Sequence, residues 1–171
     1  MKYIVTHTSP DMDAITSVWL IKKFLGGWDE AEIKFVPAGE RIGSLPKGQS
    51  FDYAIEQQGK DEYIQVDTGM GPLDHHQTSN QDICAASLTF DFMKKNLTEN
   101  KMLINKEKLE AFERIIRFVV EEDHFRTIFR PDAIADYHDF SVVNILDGLK
   151  FPDDTRENPV YSISREAPKG K

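Results

Sequence analysis

The chain of 171 residues contains one cysteine, no long apolar run and no surplus of basic side chains. The single Cys84 excludes an intramolecular disulfide and a thiolate-based zinc site, which agrees with a reducing compartment. On its own it reads as a small buried hydrophobe on a helix. The longest apolar runs fall far short of the ~20 residues that cross a bilayer, so no membrane partner is expected. The first residues, MKYIV, lack the apolar region and small-residue cleavage site of a signal peptide, and a cytoplasmic location is expected. With 21 Lys and Arg against 29 Asp and Glu, the formal charge is −8. That balance speaks against a surface built to grip long nucleic acid, because non-specific affinity there comes from neutralising phosphates. Small or short substrates are expected instead. What remains is the composition of an ordinary globular protein, 40% apolar and 29% charged, long enough to bury a core as one domain.

Hydrophobic patterning predicts an α/β order. Residues 2–6 (KYIVT) are β-branched and aromatic and read as a central parallel strand. A helix is expected over 11–25, with Ser9-Pro10 at its start and Gly26-Gly27 at its end. Further strands are expected over 33–37, 51–56 and 63–67, the last stopped by Gly69, Gly71 and Pro72. Helices follow over 83–96 and 106–122, the latter with the strongest 3.6-residue period, and another over 140–149. Trp19, Phe24, Phe90 and Phe92 are core aromatics by default. Together these predict a three-layer α/β sandwich with a mainly parallel sheet, as a single domain over 1–150 with a loosely ordered tail over 151–171.

The polar residues that interrupt this pattern fall into three clusters. His7, Asp11 and Asp13 stand at the first strand-to-helix junction, Asp67 ends a later strand, and Asp74-His75-His76 follows in the next loop. Strand carboxyl ends are where α/β proteins place their chemistry. Residues two apart on a helix diverge, so Asp11 and Asp13 are expected to face different ions. His7 and Asp11 then suit a first ion, Asp13 and His75 a second, and Asp67 a bridge between them. Asp11 equally suits the helix cap. If the pair is extended, His76 points away from His75 and is free to meet substrate. Asp74 suits a supporting role, accepting a ring N–H. Imidazole and carboxylate without thiolate favour Mn²⁺, with Mg²⁺, Co²⁺, Fe²⁺ or Zn²⁺ also compatible. A pair of such ions supports hydrolysis at phosphorus.

These residues resemble the DHH phosphoesterase superfamily. His7-x-x-x-Asp11-x-Asp13-Ala14, the strand end at Asp67 and Asp74-His75-His76 match its first three motifs in order and spacing, and Ala85-Ala86-Ser87 fits the helix that follows. The superfamily includes family II inorganic pyrophosphatases, oligoribonucleotide and pAp phosphatases, cyclic-dinucleotide phosphodiesterases and single-strand exonucleases. The resemblance covers about the first 125 residues. It implies two divalent ions with the ligand division given above, His76 on the substrate phosphate, and a further metal-binding aspartate after a helix, for which Asp123 is the candidate.

Members of the superfamily typically carry a second, basic substrate-binding domain, and nothing after Asp123 resembles it. Arg126 and Arg130 are the nearest local substitutes for phosphate-binding groups. His138, within Asp136-Tyr137-His138-Asp139, reads as part of a surface turn. The expected activity is hydrolysis of a phosphoester or phosphoanhydride in a short oligonucleotide or small nucleotide, with inorganic pyrophosphate as the second choice. The alternative from another class is a non-catalytic metal- or nucleotide-binding subunit. A homodimer or a partner subunit is expected to cover the face that a second domain normally closes.

Overall fold

A computed structural model describes residues 1–99, 105–126 and 141–149. The chain divides into two compact units, Met1–Phe129 and Arg130–Lys171. In the first unit the order is β1 (Lys2–His7), α1 (Met12–Phe24), β2 (Glu32–Val36), a short 3-10 turn (Phe51–Tyr53), β3 (Glu56–Gln58), β4 (Asp61–Gln65), α2 (Ala85–Glu99) and α3 (Lys106–Asp123). In the second unit, α4 (Val142–Gly148) is capped by Ser141, whose Oγ accepts from the Asn144 amide. Arg130, the segment 136–139 and the tail expected from 151 lie outside the described residues. Among the described residues no helix is long and apolar enough to cross a membrane.

The sheet has strand order β2-β1-β4-β3. β1 runs parallel to both neighbours and β3 pairs antiparallel with β4, so the α/β class and a mostly parallel sheet hold. β4 ends at Gln65, two residues short of the expected 67, and the larger departure among the strands concerns residues 51–56. Ser50 accepts from the Asp52 amide and starts a 3-10 turn there, Phe51 packs edge-on against Phe92, and the strand is delayed to Glu56–Gln58. Gly59, at φ +64, then turns the chain straight into β4. This hairpin places the antiparallel strand β3 at one edge of the sheet.

The two faces of the sheet are covered differently. Ile4, Ile64 and Val66 alternate onto the face where α1, α2 and α3 pack, joining Leu20, Ile21, Phe90, Phe92, Met93, Ile116 and Val119 in one core. Each such aliphatic side chain contributes about 1.5–3 kcal/mol when fully buried. The other face carries Tyr3, Val5 and Tyr63, with Val36 and Ile42 against them. Tyr3 and Tyr63 stack at 5.0 Å, and the Lys34 ammonium lies 3.4 Å from the Tyr3 ring centroid. Val36 at the end of β2, Ile42 from a loop and the Lys34 cation lie against this face.

Helix ends decide where the polar clusters come to lie. Asp11 caps α1, its Oδ1 accepting from the Ala14 amide at 3.0 Å, and Gly27 at φ +74 follows the helix end. On α3 the inward stripe of Ile116, Val119 and Val120 is continued by Asp123, seven residues after Ile116, so the helix's last turn carries a carboxylate on its core side. Among the expected core aromatics, Phe90 and Phe92 are buried, but Trp19 is 42% exposed at the rim of a Trp19–Phe24–Phe112 cluster. Trp28, just beyond α1, takes the buried position instead.

Candidate metal centre

The carboxyl ends of two adjacent parallel strands bring the first two clusters together. Tyr3 pairs with Tyr63 and Val5 with Gln65, and the same register carried forward sets His7 beside Asp67. His7 Nε2 lies 3.1 Å from Asp67 Oδ2, and its Nδ1 meets the Thr8 carbonyl at 3.0 Å. Asp67 leaves the strand at φ +53, a left-handed backbone that costs a non-glycine residue about 1 kcal/mol or more and is common at functional sites. Asp11 joins this pair, so that His7, Asp11 and Asp67 form one group with ligand atoms within 4.8 Å of one another.

A second group forms on the other oxygen of Asp67. His75 Nε2 is 3.7 Å from Asp67 Oδ1, 3.6 Å from Asp123 Oδ2 and 3.8 Å from Asp13 Oδ2. Asp67 Oδ1, His75 Nε2 and Asp123 Oδ2 are all buried without a hydrogen-bond partner. Such orphaned atoms are uncommon in folded proteins, and two of them flanking a third, that of His75, require an account. His75 is shared by two groups whose ligand atoms lie within 4.8 Å of one another, Asp67-His75-His76 and His75-Asp123-His124, spacings that a bound cation could draw in. The donors present therefore fit a divalent cation.

Asp13 is held in another way. Its Oδ2 and Oδ1 accept from the Ala85 and Ala86 amides at 2.7 and 2.6 Å, at the amino end of α2. Unsatisfied amides and the helix dipole favour a carboxylate there. The small side chains of Ala85 and Ala86 allow that approach. Cys84 starts α2, its amide donating to Ser87 Oγ and its carbonyl accepting from the Ser87 hydroxyl. Its thiol lies against Asp13, and burial pushes its pKa up, away from thiolate ligation.

The third cluster departs from the expected alternation. The Thr78 amide donates to the His75 carbonyl, so the pair sits at a turn, not in an extended segment. His75 and His76 consequently face the same centre, with ring centroids 4.4 Å apart. Asp74 Oδ1 engages His76 Nδ1 at 2.7 Å and accepts from the His76 amide, while Oδ2 accepts from the Met70 amide. Asp74 thus orients His76, which remains 59% exposed and 3.7 Å from Asp67 Oδ1.

Electrostatics follow from crowding. Burial, and then the neighbouring Asp67 charge, raise the pKa of Asp13. Burial likewise raises Asp67 and Asp123. His7 is raised to about 9, chiefly by its bond to Asp67. Burial disfavours the charged ring of His76, but the bond to Asp74 and the charges of Asp74, Asp67 and Asp123 together outweigh it, and the net shift is upward. His7 gains from an ionised Asp67, while burial resists that ionisation. Without a cation, the group is driven to hold protons.

The structure brings together His7, Asp11, Asp13, Asp67, His75, His76 and Asp123. Arg126 is turned elsewhere, donating to the Gln81 carbonyl at 2.6 Å and to Asp82 at 2.9 Å. His124, in sequence only a neighbour of Asp123, forms a group with His75 and Asp123, and its Nε2 meets the Ile83 carbonyl at 2.8 Å. The amides of Ala85 and Ala86 had no signal in the sequence beyond two small residues in a row. A cleft of about 430 Å³ between α2 and α3, lined by Phe90, Ile116, Arg117 and Arg126 among others, includes none of these ligand candidates. No known family model, curated protein or solved structure matches the chain.

Proposed function

We propose that the chain is a dinuclear metal-dependent phosphoesterase of the DHH superfamily, acting on a short oligonucleotide or small nucleotide. The observation that carries this reading is the division of Asp67, whose Oδ2 faces His7 and whose Oδ1 faces His75. A carboxylate shared in this way, with Asp11 on one side and Asp13 and Asp123 on the other, is what two neighbouring ions require. Mn²⁺ is the cation proposed, on the mixed imidazole and carboxylate set. A single three-layer domain, a cytoplasmic location and a homodimer belong to the same proposal.

Bound divalent cations would supply Lewis acidity toward a phosphoryl oxygen and an activated water. His7, Asp11 and Asp67 would hold one ion, and Asp13, Asp67, His75 and Asp123 the other. His76 is the exposed imidazole of the set, fixed by Asp74, and the carboxylates around it shift its pKa upward, which favours the protonated ring. That proton can be donated to a phosphoryl oxygen or to the leaving group.

A non-catalytic binding subunit is the second reading, and Arg126 favours it, since its guanidinium is engaged with Gln81 and Asp82. The purified chain with Mn²⁺, assayed on pAp, dinucleotides, bis(p-nitrophenyl) phosphate and pyrophosphate, separates the two. Turnover of a nucleotide substrate is expected. Two bound ions without turnover of any of the four would decide for the binding subunit.

A further inference from the structure

The loop after β4 holds three left-handed positions within four residues, Asp67 at φ +53, Gly69 at +79 and Met70 at +58. Only one of them is glycine. A backbone of this kind persists where its surroundings over-determine it. The surroundings here come from the segment that covers the second face of the sheet. Thr68 Oγ1 donates to the Glu40 carbonyl at 2.7 Å, and Arg41 donates through Nη1 to the Gly69 carbonyl at 2.6 Å. The fit is close, because a Cβ on Gly69 would stand 2.7 Å from the Arg41 Cβ.

Arg41 is an expensive residue to keep there. It is 11% exposed and paired through Nη2 at 2.6 Å with Glu56, itself 11% exposed. A buried ion pair rarely stabilises a fold more than apolar residues of equal volume would. Gln65, two residues before Asp67, completes the network: its Nε2 donates to Glu56 and to the Ile42 carbonyl, and its Oε1 accepts from the Ile42 amide. Glu56 thus aims the guanidinium and the guanidinium holds the loop.

We propose that Arg41 is a positioning residue for the metal centre, a clasp that fixes the Asp67–Met70 turn so that the two oxygens of Asp67 face opposite imidazoles. Its fork of separate nitrogens is suited to this, one on Glu56 and one on Gly69. It touches neither ion nor substrate. Partners of this kind, one step removed from a ligand, typically change metal affinity 10–100-fold when lost.

The test compares wild type with Arg41→Leu and Arg41→Lys by hydrogen exchange and by Mn²⁺ titration calorimetry. In Arg41→Leu, exchange over residues 67–73 is expected to accelerate at least about tenfold while residues 3–6 of β1 stay as in wild type, and Mn²⁺ affinity is expected to fall at least about tenfold. Arg41→Lys keeps the charge beside Glu56 but lacks the fork, and should show the same pattern at about threefold or more. It decides the matter if the leucine variant fails to fold. Wild-type exchange over 67–73 in the folded variants would overturn the proposal, as would wild-type Mn²⁺ affinity in them. The affinity arm rests on the metal reading above: if wild type itself binds no Mn²⁺, that reading fails, and the exchange pattern still decides whether Arg41 is the clasp.

Discussion

Asp13 and Asp67 are both almost wholly buried carboxylates in one cluster, yet the protein treats them in opposite ways. Asp13 has an amide on each oxygen, provided by the start of α2 more than seventy residues later. Asp67 has an imidazole bonded to one oxygen, no hydrogen bond on the other, and a left-handed backbone. The first is a carboxylate whose place the fold guarantees, since the helix end needs an acceptor as much as the acid needs donors. The second is placed at a cost and left incomplete. A cation at the unbonded oxygen would complete it.

The largest expected effect exploits this contrast. Asp13→Ala leaves two buried amides without an acceptor and should lower the metal-free unfolding free energy by about 2–4 kcal/mol in urea titrations. Asp67→Asn removes a repelling charge from the same crowd while keeping the shape, so metal-free stability should be unchanged or higher, and Mn²⁺ binding should be lost. A destabilised Asp67→Asn with an unaffected Asp13→Ala would reverse the assignment of roles.

Next in size is the response to pH. A folded-state pKa raised above its unfolded value contributes stability that is present at low pH and lost as pH rises through the folded value. For His7 the contribution is full below about 6.5 and lost toward about 9. For Asp13, Asp67 and Asp123 the shifts are also upward, so their contribution is lost once pH climbs above the ordinary carboxylate range. All four act with one sign. The Tm of protein stripped with EDTA should fall steadily from pH 5 to pH 9. Saturating Mn²⁺ takes the place of the protons, so the fall should flatten or reverse. A metal-free Tm that rises over this interval would mean that the carboxylates are not in conflict.

Much of this contrast could be read from the chain, and the rest could not for definite reasons. His7, Asp11 and Asp13 were legible because a strand followed by a capped helix fixes where local residues go. Asp123 was a candidate only through the resemblance, by its place after a helix; the structure adds that the stripe of Ile116, Val119 and Val120 carries it to the core side. The acceptor role of Asp13 depends on amides of Ala85 and Ala86, and peptide N–H groups leave no mark on a sequence. Arg41 lay in a turn-rich stretch where a lone arginine is ordinarily solvated. The direction of His76 failed at a turn, closed by the Thr78 amide on the His75 carbonyl, that overrode strand alternation. The 3-10 turn at Phe51–Tyr53 escaped because its aromatic, β-branched flanks carry strand propensity while Phe51 finds its partner in Phe92.

Smaller effects sharpen the comparison at its two margins. On the Asp67 side, His76→Gln should leave Mn²⁺ binding within about threefold of wild type and lower kcat by about 10²-fold, the usual scale for a lost proton donor. Asp74→Asn, which loosens His76 without removing it, should cost about tenfold. On the Asp13 side stands Arg126. The Gln81 carbonyl it holds, and the Ile83 carbonyl held by His124, lead directly into Cys84 and the two amides on Asp13. Its work is therefore to brace the approach to α2, in a pairing so exposed that it contributes little. Arg126→Ala should change kcat/KM by less than about threefold, without a shift in KM. A rise in KM of tenfold or more, with unchanged Mn²⁺ affinity, would return Arg126 to the substrate phosphate and would mean that its bonds to Gln81 and Asp82 give way when substrate arrives.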